Sequence, residues 1–218
     1  MSIISNTLVA VSPSHPSTIE RHLHFYRKGE SIPLFSQGIW QVCQGLVQLT
    51  TLYPTGDYGL LGWSGPSMCF GLSLTHLQTY YAIALSDVYL MFHSLLELES
   101  SPQLAHKLLP QMVRRVQQME ALLAISGQRR VDDRLYQLLL FLKQEFGQSI
   151  AEGTRLNIRL THQDIANAIG TTRVTVTRML GRLEKKGLIS RNRRDRGLIL
   201  TKLFVSVSDL FGSKNLAV

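Results

Sequence analysis

Arg173, Val174 and Arg178 carry the first chemical suggestion in this sequence. Val174 and Arg178 stand four apart, so on a helix they share a face, and Arg173 projects from the first turn. An arginine can donate two parallel hydrogen bonds to a guanine edge, and a valine can meet a thymine methyl. Thr161, Thr172, Thr175 and Thr177 are small hydroxyl donors suited to phosphate oxygens, and Arg182 adds a cation further along. Arg191, Arg193, Arg194 and Arg196 then crowd a single short segment, which suits phosphates or a minor groove. Together these residue types fit the reading of duplex DNA.

Side chains read bases only if an element presents them, and the local signals supply one. Thr161 is a good N-cap, and Asp164 falls at the third helical position, where negative charge suits the helix dipole. Ile165, Ala168 and Ile169 form an apolar face, Ala166 is small enough for a close helix crossing, and Gly170 ends the helix. A second helix follows at once, capped by Thr172, with Val176, Leu180 and Leu183 facing inward and Gly187 beyond its end. Residues 173–179 include four β-branched side chains, which is poor intrinsic helix chemistry, so something other than propensity selected them. Helix, glycine turn and helix form the helix-turn-helix pattern, whose second helix enters the major groove. Residues 190–200 read as a hairpin with a basic tip, the wing of a winged helix.

The charge distribution agrees. The 218 residues carry 23 Lys+Arg and 15 Asp+Glu, a formal net charge of +8. Residues 1–128 hold 6 basic and 7 acidic side chains, whereas 129–218 hold 17 and 8. Within the latter, 155–202 hold 12 basic and 3 acidic, so the excess sits on the helix-turn-helix and wing. A basic surface that binds RNA or DNA without sequence preference is the rival, but it would spread charge and aromatic rings more widely. At 44% hydrophobic and 17% charged the chain should fold. It has no apolar run long enough for a membrane span, and its start does not read as a secretory signal, so the cytoplasm is the expected compartment. Two cysteines, Cys43 and Cys69, are too few for a disulfide framework or a four-thiolate cluster. No Ser-His-Asp set, glycine-rich phosphate loop, paired carboxylates or metal spacing is visible, which argues against an enzyme. His22 and His24 read as surface or edge residues of a strand.

Upstream, residues 1–19 look like a loose leader. From 20 to 93 short apolar runs alternate with turn signals every 8–12 residues, the texture of a sandwich or barrel. Helical character begins near 94 and is interrupted at Pro102 and Pro110, so Pro110 is expected to start a new helix over 110–128. Met112, Val116, Met119, Leu123 and Ser126 recur along it at heptad spacing, with Arg114, Arg115, Gln117, Gln118 and Glu120 on its other faces. That stripe fits either a helix buried on its own domain or a dimer seam. The seam is the expectation, because the preceding β unit is already closed. A joint at 127–130, a helix over 131–146 ended by Gly147, and a short loop with an Ile158/Leu160 alternation lead into Thr161. The fold class is α+β.

The string Gly170-Thr171-Thr172-Arg173-Val174-Thr175-Val176-Thr177-Arg178, with Asp133-Arg134-Leu135 and its leucine-rich helix, resembles the CRP/FNR family of bacterial transcription regulators, in particular its nitrogen-control branch. The resemblance covers residues 20–202. It implies a cyclic-nucleotide-binding-type β-roll sensor domain (20–109), a long dimerisation helix (110–128) and a C-terminal winged-helix DNA-binding domain (129–218). It also implies a homodimer on a palindromic double-stranded site, contact with RNA polymerase, and base reading by Arg173, Val174 and Arg178. Val174 departs from the cyclic-AMP branch, which has Glu there. An effector pocket would involve Gly71, Leu72, Ser73, Gln78 and Thr79. Leu72 stands where cyclic-AMP binders have Glu, and Gln78-Thr79 stand for their Arg-Ser pair, so cyclic AMP is not the expected ligand. An iron–sulfur cluster is excluded by the cysteine count. Haem through His76 or Cys69 competes with a surface histidine and a core cysteine. Arg129 lies near where the nitrogen-control branch holds oxoglutarate, or is a structural arginine at a joint. The gate is thus a small ligand other than cyclic AMP, or there is none and abundance or a protein partner sets activity.

Overall fold

The computed structural model describes residues 22–192 and 197–204. The expected leader therefore lies outside the described residues, as do Arg193, Arg194 and Arg196.

Strands β1 (Leu23–Tyr26), β2 (Gly38–Gln44), β3 (Val47–Leu52), β4 (Tyr58–Ser64), β5 (Cys69–Phe70), β6 (Tyr81–Ala84) and β7 (Val88–Ser94) build the N-terminal unit. They form two antiparallel sheets, β1-β7-β2-β5 and β4-β3-β6. Trp40, Val42, Val47, Leu49, Phe70, Ala82, Val88 and Leu90 fill the space between them. The Trp40 indole is buried, and its N–H donates to the Pro33 carbonyl at 2.8 Å. A short helix α1 (Leu95–Ser100) leads into α2 (Pro102–Ser126), then α3 (Val131–Phe146).

The long helix differs from expectation in its start. It begins at Pro102, capped by the Ser101 hydroxyl, and runs straight through Pro110. An interior proline removes one ladder bond and costs about 3 kcal/mol. Packing on both sides of it offsets that loss. Leu104 and Leu108 before Pro110 join Ile39 and Cys69, and Gln111, Arg115 and Gln118 after it are buried too. Arg115 and Gln118, expected on open faces, thus lie on the inward stripe of α2.

That inward stripe is polar where a core is normally apolar. Arg115 is 8% exposed. Its guanidinium donates to the Gln118 side-chain carbonyl at 3.0 Å and to the Leu61 backbone carbonyl at 3.3 Å. The same Gln118 oxygen accepts the Trp63 N–H at 2.9 Å. Gly62 between them has φ of 141°, and a Cβ there would fall 2.3 Å from the Arg115 guanidinium. Only glycine fits both the backbone and the space.

A second cluster starts at Trp63 of β4 and Ile125 of α2 and continues through Leu135, Leu138, Leu139 and Leu142 of α3 into the C-terminal helices. Trp63 stacks on Phe141 with ring centroids 6.3 Å apart. The two halves of the chain therefore meet in this second cluster, beside the separate core between the N-terminal sheets. After α3, Gly147 turns the chain extended, with φ of −78°, rather than left-handed. Residues expected to be a loop instead form a hairpin, β8 (Gly147–Ile150) and β9 (Gly153–Leu156). Its strands are too short for an alternating apolar pattern, and β9 pairs with a strand more than forty residues later. Helices α4 (His162–Ile169) and α5 (Arg173–Lys185) follow, then β10 (Ile189–Arg191) and β11 (Leu198–Thr201), in a sheet ordered β10-β11-β9-β8. No described helix is long and apolar enough to cross a membrane.

Candidate nucleic-acid interface

The helix-turn-helix is built by its caps. The Thr161 hydroxyl accepts the Asp164 N–H at 3.1 Å, and the Asp164 carboxylate accepts the Thr161 N–H at 2.7 Å, a reciprocal capping box. Gly170 ends α4 in the left-handed conformation at φ of 62°. Thr172 caps α5 through the Thr175 N–H at 3.2 Å. Ile165, Ala166 and Ile169 of α4 are buried against Val176, Met179 and Leu180 of α5. Met179, not anticipated, completes that contact, while Ala168 and Leu183 are only partly covered.

This packing leaves the other face of α5 open. Arg173 and Arg178 are exposed, and neither side chain has a hydrogen-bond or ion-pair partner among the described residues. Val174 is 68% exposed, an apolar side chain presented to solvent beside two free guanidinium groups. The three proposed base readers thus share one free surface. Arg191 closes the far side from β10, where Asn192 and Gly197 join the hairpin through a bond of 2.9 Å.

The flanking phosphate candidates divide. Each threonine hydroxyl has one hydrogen to give. Thr161 gives its own to Asp164 at 2.7 Å, and Thr177 gives its own to the Arg173 carbonyl at 2.9 Å. In this arrangement neither hydrogen points outward, so a phosphate contact through either hydroxyl requires it to leave its protein partner. Thr172 and Thr175 face each other at 3.0 Å, so the pair has one hydrogen left over. Arg182 donates instead to Asp132 at the start of α3, at 2.9 Å. Arg191 reaches the imidazole of His162 at 3.1 Å and stands 3.8 Å from the Glu184 carboxylate. Sequence reasoning missed His162, whose ring bridges β10 to Thr177 on α5 at 2.7 Å. Burial pushes the His162 pKa down, and Arg191 and Arg173 push it further.

The expected dimer stripe is also divided. Val116, Met119 and Leu123 are exposed, Leu123 by 72%. Met112 instead packs on its own domain beside Leu104 and Leu108, while Leu109 and Val113 extend the open stripe toward the helix start. The buried stripe through Leu104, Leu108, Gln111, Arg115 and Gln118, rather than the apolar heptad stripe, sets which face of α2 points inward.

A cavity of about 430 Å³ opens between the sheet, α2 and α4. Its lining includes Leu61, Tyr80, Arg115 and Leu122, and the end of α4 at Asn167 and Gly170. None of the six anticipated pocket residues lines it. Gly71 is packed on Gly38 and Ile39, and the Ser73 hydroxyl donates to the Gly38 carbonyl at 3.0 Å. Thr79 bonds the Leu52 carbonyl at 3.0 Å, Leu72 is half-buried on its short helical turn, and Gln78 and Arg129 are exposed. Arg129 lies at the exposed joint between α2 and α3, away from the cavity. Burial lowers the Arg115 pKa and raises that of Tyr80, which bonds it. The signal for Arg115 is a 4,3,4,3 stripe through Leu104, Leu108, Gln111, Arg115 and Gln118, whose polar second half places Arg115 and Gln118 among the outer-face residues when periodicity is read from apolar side chains. His76 is exposed, and the buried Cys69 thiol donates to Gln111 at 3.0 Å with its pKa pushed up to about 12 by burial and by Cys43.

Comparisons with known proteins agree with this architecture. A Crp-like helix-turn-helix domain matches residues 133–203. Regulatory protein CysR of Synechococcus elongatus is 36% identical over 191 residues, spanning 86% of this chain and 88% of that protein. The global nitrogen regulator of a Nostoc species is 30% identical over 187 residues, 82% of each chain. The structure of FixK2 from Bradyrhizobium japonicum shares the fold with a TM-score of 0.71 at 21% identity, covering 92% of this chain and all of that one.

The capping box sets a direct test. Thr161→Ala and Asp164→Ala should each lower unfolding free energy by about 1 kcal/mol in denaturant titration. The double variant should lose less than the sum, since each change already breaks the same reciprocal pair. Strict additivity would show that the two residues act separately.

Proposed function

The chain belongs to the CRP/FNR family of transcription regulators, and on that premise we propose how it reads DNA and what gates it. Its relatives are named as regulators, and with the matching helix-turn-helix domain the chain is a DNA-binding regulator and not an enzyme, acting as a dimer. In the proposal, a homodimer holds two copies of α5 in successive major grooves of a palindromic site. Arg173, Val174 and Arg178 read bases there. Arg191, the free hydrogen of the Thr172–Thr175 pair and the arginines at 193, 194 and 196 meet the backbone. The division into a sensor unit, a dimer helix and a reading unit, action in the cytoplasm and contact with RNA polymerase belong to the same reading. The single observation that carries it is the free surface of α5. Among the described residues the two arginine side chains have no partner and the valine is exposed, yet all three fit base edges.

Dimer formation is assigned to the open stripe of α2. Leu109, Val113, Val116, Met119 and Leu123 expose apolar area on one side of a helix whose other side is already covered. The cavity supports a gate. Arg115 brings a buried cation to its wall, and no carboxylate faces that cation among the described residues. A small anionic ligand other than cyclic AMP suits such a wall.

Four measurements check these assignments. Footprinting should show two half-sites about one helical turn apart. Arg178→Ala should cost about 1–3 kcal/mol on the preferred site and relax one base position, whereas equal weakening on all sequences would remove Arg178 from base reading. Val116→Asp should sediment as a monomer where the parent chain is a dimer, and an unchanged dimer would move the interface elsewhere. In a thermal-shift screen of keto acids and other small carboxylates, any stabilising anion should lose its effect in Arg115→Met. If cyclic AMP or no anion at all stabilises the chain, the proposed gate fails, and control by abundance or a protein partner takes its place.

A further inference from the structure

His162 opens α4, and its two ring nitrogens face two different elements. Nδ1 lies 2.7 Å from the Thr177 hydroxyl on α5, and Nε2 lies 3.1 Å from the Arg191 guanidinium on β10. A guanidinium can only donate, so Nε2 must be the acceptor and carries no proton. The ring proton then sits on Nδ1 and is donated to Thr177, whose own hydrogen passes to the Arg173 carbonyl at 2.9 Å. Every direction in the chain Arg191 → His162 → Thr177 → Arg173 is thus fixed, and it links wing, first helix and reading helix. We propose that His162 is the positioning residue that holds Arg191 and the base of the wing in register with α5, and that only the neutral ring can do so. The assignment rests on α5 and the wing meeting DNA as set out above.

The charges around the ring point the same way. Arg191 faces it from β10 and Arg173 from α5, and Arg159 shares the shallow cleft below it. Asp164 on its own helix is committed to Thr161, and Glu184 on α5 stands 3.8 Å from Arg191 rather than against the ring. A second ring proton would point Nε2–H at a donor and would place a cation at a helix N-terminus, where the dipole opposes it. The folded chain accordingly favours the neutral ring, and burial with the two arginines holds its pKa below 6.5. The lock is fully present above the ordinary histidine value and is lost as pH falls through the lowered value that the folded chain imposes. Acid then releases Arg191 while adding positive charge. Binding to any DNA is retained or strengthened, but discrimination between sequences falls.

The test is a ratio measured on the full chain, from pH 8 to pH 5. It compares affinity for a duplex that the parent chain selects from random sequence with affinity for a scrambled duplex of equal length. The parent ratio should be level above pH 6.5 and fall about tenfold toward pH 5, the worth of one charge-assisted contact. His162→Gln, which can accept from Arg191 without titrating, should give a level ratio across the range. His162→Lys should give a low ratio at every pH. Arg191→Gln, with His162 intact, should lower the ratio and also abolish its pH step, which keeps the test open if a His162 variant melts early. A level parent profile, or the same acid step in His162→Gln or Arg191→Gln, overturns the assignment. A parent chain that selects no sequence at any pH overturns the DNA-reading proposal itself.

Discussion

A guanidinium taken out of water costs several kcal/mol unless each of its N–H groups finds an acceptor and its position is held. The inward face of α2 depends on meeting that demand for Arg115. Gln118 one turn on, the Leu61 carbonyl and Tyr80 supply the acceptors, and Gly62 supplies the space. Because these partners come from β4 and the approach to β6, the helix can sit against the sheet in one rotation only. That rotation turns Val116, Met119 and Leu123 outward and carries the helix through Pro110 without a break. The apolar stripe is thus exposed as a consequence of how the polar one is satisfied.

The reading half was legible because its signals are local. Thr161 with Asp164, Gly170, and Thr172 with Thr175 are separated by three or fewer residues or stand at an element end, and their geometry follows from residue type. The sensor half was legible only as β texture. Its cavity is assembled from β4, the segment before β6, α2 and α4, and no spacing along the chain reports such a meeting. Gly71 and Thr79, singled out by analogy of position, are engaged in holding neighbouring backbone. Arg115 escaped notice for a different reason. Periodicity is read from apolar residues, and here the buried period is written partly in Gln and Arg.

Hydroxyl groups show where folding and recognition draw on the same atoms. Thr161 and Thr177 have the residue type and location of phosphate donors, yet each commits its only hydrogen to the protein. A helix N-terminus attracts such residues for capping as strongly as for contact with phosphate, and sequence cannot separate the two uses. Arg173 and Arg178 are distinguished by the opposite property. They contribute nothing to the fold that the described residues reveal, and the β-branched residues around them weaken the helix that presents them.

The end of α4 forms part of the wall that also contains Arg115, so the cavity proposed to sense and the helix-turn-helix are adjacent rather than connected through a relay. Thermodynamic linkage makes such an adjacency symmetrical. Whatever factor a bound small molecule applies to operator affinity, the operator must apply to the affinity for that molecule. Under the proposed gate, duplex DNA is then itself an allosteric effector of the cavity, and two populations of the same regulator, one on chromosomal sites and one free, would respond to different concentrations of a single signal.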